Sequence, residues 1–341
     1  MTLRPPILPM LAKAQPEIPR GEGWLYEPKW DGFRAVVFIE SGEVHIGSRN
    51  TQPLQRYFPE LLDPLRAALP DPCVVDGEIV IATPDGLDFD ALQLRIHPAA
   101  SRVAMLAQQQ PAQVILFDLL SLGDRDLREE RFDTRRRLLV DELRPTEGIA
   151  LTPQTDDAEV ADSWFTRYEG AGLDGIVAKR ADQAYRADQR VMVKVKHERT
   201  ADCVVGAYRV ASADGLPGAM LLGLYNDEGV LHYVGNTHSF SAAGRRELRE
   251  VLAPHEGGSA FGHGRAPGGL SRWNRGKQGK QTVDLAPVLV CEVAYDHMQG
   301  PRFRHPASFR RWRPDRDPAS CTFAQLEPPV PFDLREVLAG A

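Results

Sequence analysis

The sequence predicts an α+β protein of two domains, the first built on a largely antiparallel sheet and the second small and β-rich. Three observations predict this. The length of 341 residues suits roughly two domains at about 150 residues each. Up to about residue 198, short strands bounded by turn residues alternate with amphipathic helical stripes. Beyond about residue 200 the pattern changes to short strands with one helix. The composition, 43% hydrophobic and 26% charged, is that of an ordinary globular protein and excludes wholesale disorder, a collagen-like repeat and a disulfide-stapled miniprotein.

In the first domain, 1–198, Trp24–Trp30, Phe33–Ile39 and Val44–Ser48 read as a meander, with Asp31-Gly32 turning between the first two strands. Phe58, Leu61, Leu62, Leu65, Ala68 and Leu69 recur at three- and four-residue spacing, one apolar helical stripe ahead of a strand at Cys73–Ala82. Further strands are expected at Gln113–Leu120, Gly175–Lys179 and Val191–Lys196, and helices near Asp133–Leu143 and Ala158–Glu169. In the second domain, 199–341, strands are expected at Asp202–Val210, Ala219–Asn226, Val230–Val234 and Pro287–Ala294, with a helix at Ala242–Leu252. About five strands and one helix in that length suit a small, partly open barrel of the OB type. A hinge is expected within His197–Ala201.

No run of eighteen apolar residues and no apolar h-region at the N-terminus is present, so neither a membrane span nor a secretory signal is written here, and the cytosol is the expected compartment. Cys73, Cys203, Cys291 and Cys321 are far apart, without a Cys-x-x-Cys pair, and read as buried apolar side chains. The net charge of -6 is unevenly divided, -8 over residues 1–198 and +2 over 199–341. Within the second part, Arg265–Lys280 holds five basic residues and no acid, and Arg302–Arg316 holds six against Asp315 alone. Such stretches bind phosphate even on an acidic protein, because a polyanion answers to the local field; a solvated loop is the alternative.

Neither a Gly-x-x-x-x-Gly-Lys-Ser/Thr loop nor a Gly-x-Gly-x-x-Gly turn occurs, so side chains must hold much of any nucleotide's phosphate. Four elements supply them. Glu27-Pro28-Lys29-Trp30-Asp31-Gly32-Phe33-Arg34 puts an amine, a carboxylate and a guanidinium around one bend. An amine attacks only when deprotonated, a state that neighbouring cations and desolvation favour. In Asp76-Gly77-Glu78, Glu78 lies within an apolar strand and needs a partner: a lysine, a ribose hydroxyl or a hard cation. Asp174-Gly175-Ile176-Val177-Ala178-Lys179 again sets a carboxylate before a glycine and a strand ending in lysine. In Val191–Lys196, alternation puts the valines on one face and Lys194 and Lys196 on the other. Two like charges about 7 Å apart favour a polyanion between them, with a solvated outer face as the alternative. Lysines for phosphates and carboxylates for a divalent cation, without a deep metal cage, are the means of phosphoryl or nucleotidyl transfer.

In this order, Lys29 to Arg34, Ser48-Arg49-Asn50, Asp76 to Glu78, Phe117-Asp118, Asp174 to Lys179 and Lys194 to Lys196, the set resembles the covalent nucleotidyltransferase superfamily of ATP-dependent DNA ligases, RNA ligases and mRNA capping enzymes. The later segment Phe303 to Asp315 is similar to the final motif of short bacterial ATP-dependent DNA ligases, the group of ligase C and the ligase module of ligase D. The likeness runs from about Pro9 to Pro318. It implies a nucleotidyltransferase (adenylation) domain followed by an OB-fold β-barrel, with ATP and a divalent metal, Mg²⁺ or Mn²⁺, as cofactors. The implied reaction joins nicked duplex DNA through lysyl-AMP, AMP transfer to the 5′-phosphate and attack by the 3′-hydroxyl. A bacterial cytosolic monomer working with DNA repair or end-joining proteins is implied as well.

The resemblance also implies roles. Lys29 would be the adenylated nucleophile, in a motif shared with Asp31; Glu27 would lie at the adenine edge and Phe117 would stack on adenine. Arg34 and Arg49 would hold ribose or nick phosphate, Arg49 the 5′-phosphate. Glu78 would bind ribose and help position metal, Asp174 would hold metal, and Lys194 and Lys196 the α-phosphate. Arg311, Arg313 and Asp315 would reach pyrophosphate when the second domain closes. Charge and one aromatic, rather than the resemblance, point to Arg265, Arg272, Arg275, Lys277 and Lys280 with Trp273 as a loop that contacts duplex backbone. Two departures stand out: Asp174 replaces the commoner Glu, and Met192 stands where many ligases have Trp. An RNA ligase or capping enzyme is the nearest rival reading, and a non-catalytic DNA-end-binding adaptor the rival from another class.

Overall fold

The computed structural model describes residues 3–84, 86–211, 215–237, 239–261, 281–326 and 330–339. The chain divides into two units, one of Met1–Lys196 with Pro329–Ala341 and one of His197–Pro328.

Two large sheets and a two-stranded one, Ala82–Thr83 with Gly86–Leu87, lie in the first unit. The larger runs, in spatial order, Ile149–Leu151, Gln113–Leu122, Cys73–Val80, Phe33–Glu40 and Glu43–Ser48, with the short strand Arg125–Asp126 also on Gln113–Leu122. The other is Leu11–Ala14, Arg190–Lys196, Gly175–Arg180 and Trp24–Pro28. Pairing is antiparallel except where Leu11–Ala14 joins Arg190–Lys196 and Ile149–Leu151 joins Gln113–Leu122. Alternation explains the run Ala35–Ile39. Ala35, Val37 and Ile39 enter the main core with Leu61, Leu65, Val75 and Leu116, while Val36 and Phe38 pack on the opposite face with Val74, Leu120 and Met192. Met192 is therefore a packing residue.

The expected helix at Phe58–Leu69 is shorter, Leu62–Ala68, because Pro59 and Pro64 confine it and the chain ahead runs as 3-10 turns at Gln55–Tyr57 and Pro59–Leu61. The later helices lie close to expectation at Phe132–Glu142 and Ala158–Arg167, the second capped by the Asp157 carboxylate, which accepts the Glu159 N–H at 2.8 Å. Helices at Phe89–Leu94 and Ala100–Gln109 carry only short apolar stripes and were not foreseen.

The second unit is an antiparallel sheet in the order Leu231–Thr237, Pro217–Tyr225, Arg199–Val210, Val290–Tyr295 and Ser308–Trp312, with Thr282–Asp284 also on Arg199–Val210. Among the described residues no closed barrel forms. One bridge, Thr237 to Ala307, links the end of one outer strand to the start of the other, with Ala307 N–H donating to Asn236 O at 2.8 Å. Helix Ala242–Leu252, capped by Ser241, buries Leu248 and Leu252. All four cysteines are free and buried, and no described helix is long and apolar enough to cross a membrane.

The sequence division gave the C-terminal tail to the second domain, and the structure corrects this. Phe332, Leu334, Val337 and Leu338 pack with Trp30, Val80, Ile115 and Leu173, so the tail belongs to the first unit. Its apolar residues are few and lie far in sequence from those they cover.

Candidate active site

Lys29 follows the strand Trp24–Pro28 and is fixed through its backbone. Its N–H donates to Gly175 O at 2.8 Å, and the Asp174 N–H donates to Lys29 O at 2.9 Å. The turn depends on glycine: Gly175 has φ +134°, and a Cβ there would stand 2.0 Å from Val195 O. Gly32 is equally constrained, since its Cβ would meet Ile79 O at 2.1 Å. These contacts explain the glycines of Asp31-Gly32 and Asp174-Gly175.

The side chains converge on one carboxylate oxygen. Asp174 Oδ2 lies 2.5 Å from Lys29 Nζ and 2.8 Å from Lys196 Nζ. Strand register supplies the second amine, because Gly175 pairs with Lys196 and Val177 with Lys194. Burial works to raise the Asp174 carboxyl, but Lys29 and Lys196 outweigh it and hold the group below its ordinary value. Lys194 is pushed down by burial first and then by Lys196 and Lys29, with Arg49 adding to the repulsion. Four cations thus share a neighbourhood with few acids, an excess of positive charge suited to a polyanion. Val193 and Val195 of this strand pack on the opposite side with Tyr26 and Ile176, as alternation predicts, whereas Val191 at its start packs with the cluster that holds Met192.

Glu78 pairs in register with Arg34. Burial raises its carboxyl to about 7, against the opposing pull of Arg34 and Lys29 and a hydrogen bond donated by the Gly32 N–H. Arg34 is clamped on Asp76, with Nε at 2.6 Å from Oδ1 and Nη2 at 2.7 Å from Oδ2. The Tyr185 hydroxyl donates to Asp76 Oδ2 at 2.7 Å and accepts the Met10 N–H at 3.0 Å.

Glu27 is buried, with one partner on each oxygen: Lys179 Nζ lies 2.6 Å from Oε2, and Gln154 Nε2 donates to Oε1 at 2.8 Å. Phe117 is only 7% exposed, with the Arg34 guanidinium 4.4 Å and Lys179 Nζ 4.5 Å from its ring centre. Asp118, next to it, is held away from the site by a two-pronged pair with buried Arg135, at 2.8 and 2.9 Å. Asp31 is partly buried in the bend, and Arg49 is exposed in the turn after Glu43–Ser48.

Sequence reasoning missed the roles of Lys179, Gln154 and Tyr185. A lysine inside an apolar strand signals a buried acid partner, and that signal was available for Lys179. Gln154 and Tyr185 meet their partners only through tertiary structure.

In the second unit, Arg311 Nε donates to Glu292 Oε2 at 2.7 Å, and Arg313 Nη1 lies 3.0 Å from both Asp202 carboxylate oxygens. Arg313 also pairs with Asp315 at 2.8 Å and holds that carboxyl down at about 2. Asp202 and Glu292 were not foreseen as partners. The stretch Arg265–Lys280 with Trp273 lies outside the described residues. Among the described residues no group of three or more His, Cys, Asp or Glu side chains could hold a metal by itself.

Residues 9–196 match the ATP dependent DNA ligase domain family, and residues 213–316 match the ATP dependent DNA ligase C terminal region. DNA ligase C of Mycobacterium tuberculosis is 48% identical, covering 100% of this chain and 99% of its own length. DNA ligase C2 of Mycolicibacterium smegmatis is 52% identical over 95% of each. The multifunctional non-homologous end joining protein LigD of Pseudomonas aeruginosa is 29% identical over 98% of this chain and 39% of its own. A solved structure of a Lig E DNA ligase has a TM-score of 0.58 at 18% identity, covering 90% of this chain and 100% of that one, a likeness of fold alone. Conserved order, length and identity across nearly the whole chain place this protein in the family of short bacterial ATP-dependent DNA ligases.

Proposed function

We propose that this ligase seals nicked duplex DNA through a lysyl-AMP on Lys29. The observation that carries this is the junction of Lys29 Nζ, Asp174 Oδ2 and Lys196 Nζ within 2.8 Å, flanked by Lys194. In the first step the Lys29 amine attacks the α-phosphorus of ATP. A P–N bond forms, the α–β P–O bond breaks, pyrophosphate leaves with the bonding pair, and the amine proton goes to water. AMP then passes to the 5′-phosphate at the nick, which frees Lys29, and the 3′-hydroxyl displaces AMP to close the backbone.

Lys194 and Lys196 hold the α-phosphate and neutralise its charge as it develops. Arg49, exposed in its turn, takes the nick 5′-phosphate. Glu27 receives the adenine edge, oriented by Lys179 and Gln154. Stacking of adenine on Phe117 requires an accessible ring face, and Arg34 and Lys179 flank the ring in this structure. Arg34 therefore serves the ribose side only by shifting on its Asp76 clamp.

The donor set fits a divalent cation. Asp174 and Glu78 are carboxylates that both feel Lys29, and Mg²⁺ or Mn²⁺ is characteristically held by one or two carboxylates together with substrate phosphates. When bound, the ion neutralises triphosphate charge.

Residues 199–341 less the tail are proposed as an OB-type domain, supported by the all-antiparallel order and the Thr237–Ala307 bridge that brings its outer strands together. Arg311, Arg313 and Asp315 would serve pyrophosphate departure from that domain, after exchange of Glu292 and Asp202 for the leaving group. A cytoplasmic monomer with a part in DNA repair or end joining is the proposed setting, on the likeness to LigD.

The test is intact mass after incubation with ATP and a divalent metal, followed by a nicked duplex. An AMP adduct on Lys29 that disappears as the nick closes supports the reading. Absence of any adduct, from protein first shown to carry none, overturns it.

A further inference from the structure

We infer that the C-terminal segment is a brace for the adenylation site, with Leu334 and Val337 as positioning residues for the first chemical step. This rests on the assignment of Lys29 as nucleophile.

The segment has a prepared seat. A Cβ on Gly170 would stand 1.7 Å from Val330 O and 2.9 Å from Phe332 N, so only glycine admits the tail backbone at that point. The Phe332 ring sits 5.3 Å from Tyr168, with the Arg167 guanidinium 4.9 Å from its centre. The helix Leu334–Ala339 then places Leu334 and Val337, three residues apart on one face, at 4% and 0% exposure.

What they cover decides their role. The same apolar cluster contains Trp30, Tyr168, Ala171 and Leu173. Trp30 is joined to Lys29 and Leu173 to Asp174, one peptide bond from each member of the reactive pair. Trp30 is anchored further by its indole N–H, which donates to Thr152 Oγ1 at 2.8 Å. Backbone hydrogen bonds also tie the two segments across this turn, the Lys29 N–H donating to Gly175 O and the Asp174 N–H to Lys29 O. Their 2.5 Å side-chain contact is thus set by two strand ends whose next residues share one apolar cluster, and the tail closes that cluster. Opening the cluster loosens both ends together, and an error of about 1 Å at reacting atoms costs about 100-fold in rate.

The experiment uses the full chain with four changes: Gly170→Ala, which excludes the tail backbone; Leu334→Ala with Val337→Ala; the conservative Val337→Ile; and Arg335→Ala, whose side chain is 91% exposed. Single-turnover adenylation with ATP is measured beside sealing of a pre-adenylated nick, which needs no lysine nucleophile, and beside thermal melting. The first two variants should adenylate about 10- to 100-fold more slowly with little change in ATP affinity, while sealing the pre-adenylated nick within about twofold of the parent. Val337→Ile and Arg335→Ala should match the parent. Equal loss in both steps, or unimpaired adenylation in folded Gly170→Ala, overturns the inference. If Gly170→Ala fails to fold, Leu334→Ala alone is read by the same two rates. A parent protein that forms no adduct on Lys29 would instead overturn the nucleophile assignment.

Discussion

Lys179 Nζ and Glu27 Oε2 face each other at 2.6 Å with both side chains only 3% exposed. Removing one partner strands the other charge without water, at a cost of about 3–5 kcal/mol. Lys179→Met should therefore be strongly destabilised in denaturant titrations, and Glu27→Gln combined with Lys179→Met should recover most of the loss. Stability of Lys179→Met within about 0.5 kcal/mol of the parent would show that the pair carries no such charge.

Lys29→Ala should form no AMP adduct yet still seal a pre-adenylated nick, because the lysine's work is finished once AMP is on the DNA. Asp174→Ala should keep its fold and adenylate about 100-fold more slowly or worse, since Lys29 and Lys196 lose their shared partner. Full ATP-dependent sealing by Lys29→Ala would falsify the nucleophile assignment.

Glu78 gives a pH dependence with a defined sign. Its folded value of about 7 lies above the ordinary 4.5, so between these limits the folded protein holds the extra proton. Stability linked to Glu78 is present below about 4.5 and is lost as pH rises through about 7. In metal-free buffer at pH 7.5, Glu78→Gln should be more stable than the parent by about 1–3 kcal/mol, and the gap should close at about pH 4. A gap of equal size at both pH values would assign the gain to something other than ionisation.

The basic stretch Arg265–Lys280 should answer to salt. Each phosphate contact contributes about -0.9 to the slope of log affinity against log salt. Neutralising Arg265, Arg272, Arg275, Lys277 and Lys280 should flatten the slope for nicked duplex by as much as about 4.5 units. An unchanged slope would mark the stretch as solvated.

Local pattern carried most of the fold's elements and the site's frame. The unbroken β-branched and aromatic run Ala35–Ile39 and the alternation in Val191–Lys196 announce strands, and the Asp31-Gly32 and Asp174-Gly175 pairs announce turns whose glycines the backbone contacts require. Pairing at a distance left no local trace. Nothing near Asp76 marks Tyr185, nothing near Glu27 marks Gln154, and nothing near Trp30 marks Val337. The prolines at 59 and 64 show the converse, where a sound periodic stripe overran the helix that the backbone permits. At Phe117, the motif located the ring but gave no sign of the two cations beside it.

The first unit is a discontinuous fold, completed by residues that lie beyond the whole of the second. On the ribosome, residues 1–196 emerge with the patch around Trp30 and Leu173 still uncovered. At about 5–20 residues per second, synthesis of the second unit holds that patch open for on the order of 10 s. The unit that carries Lys29 thus matures last although it is made first. If the brace acts as inferred, a nascent or prematurely terminated chain remains a poor acceptor of AMP, and adenylation competence arrives with the finished protein.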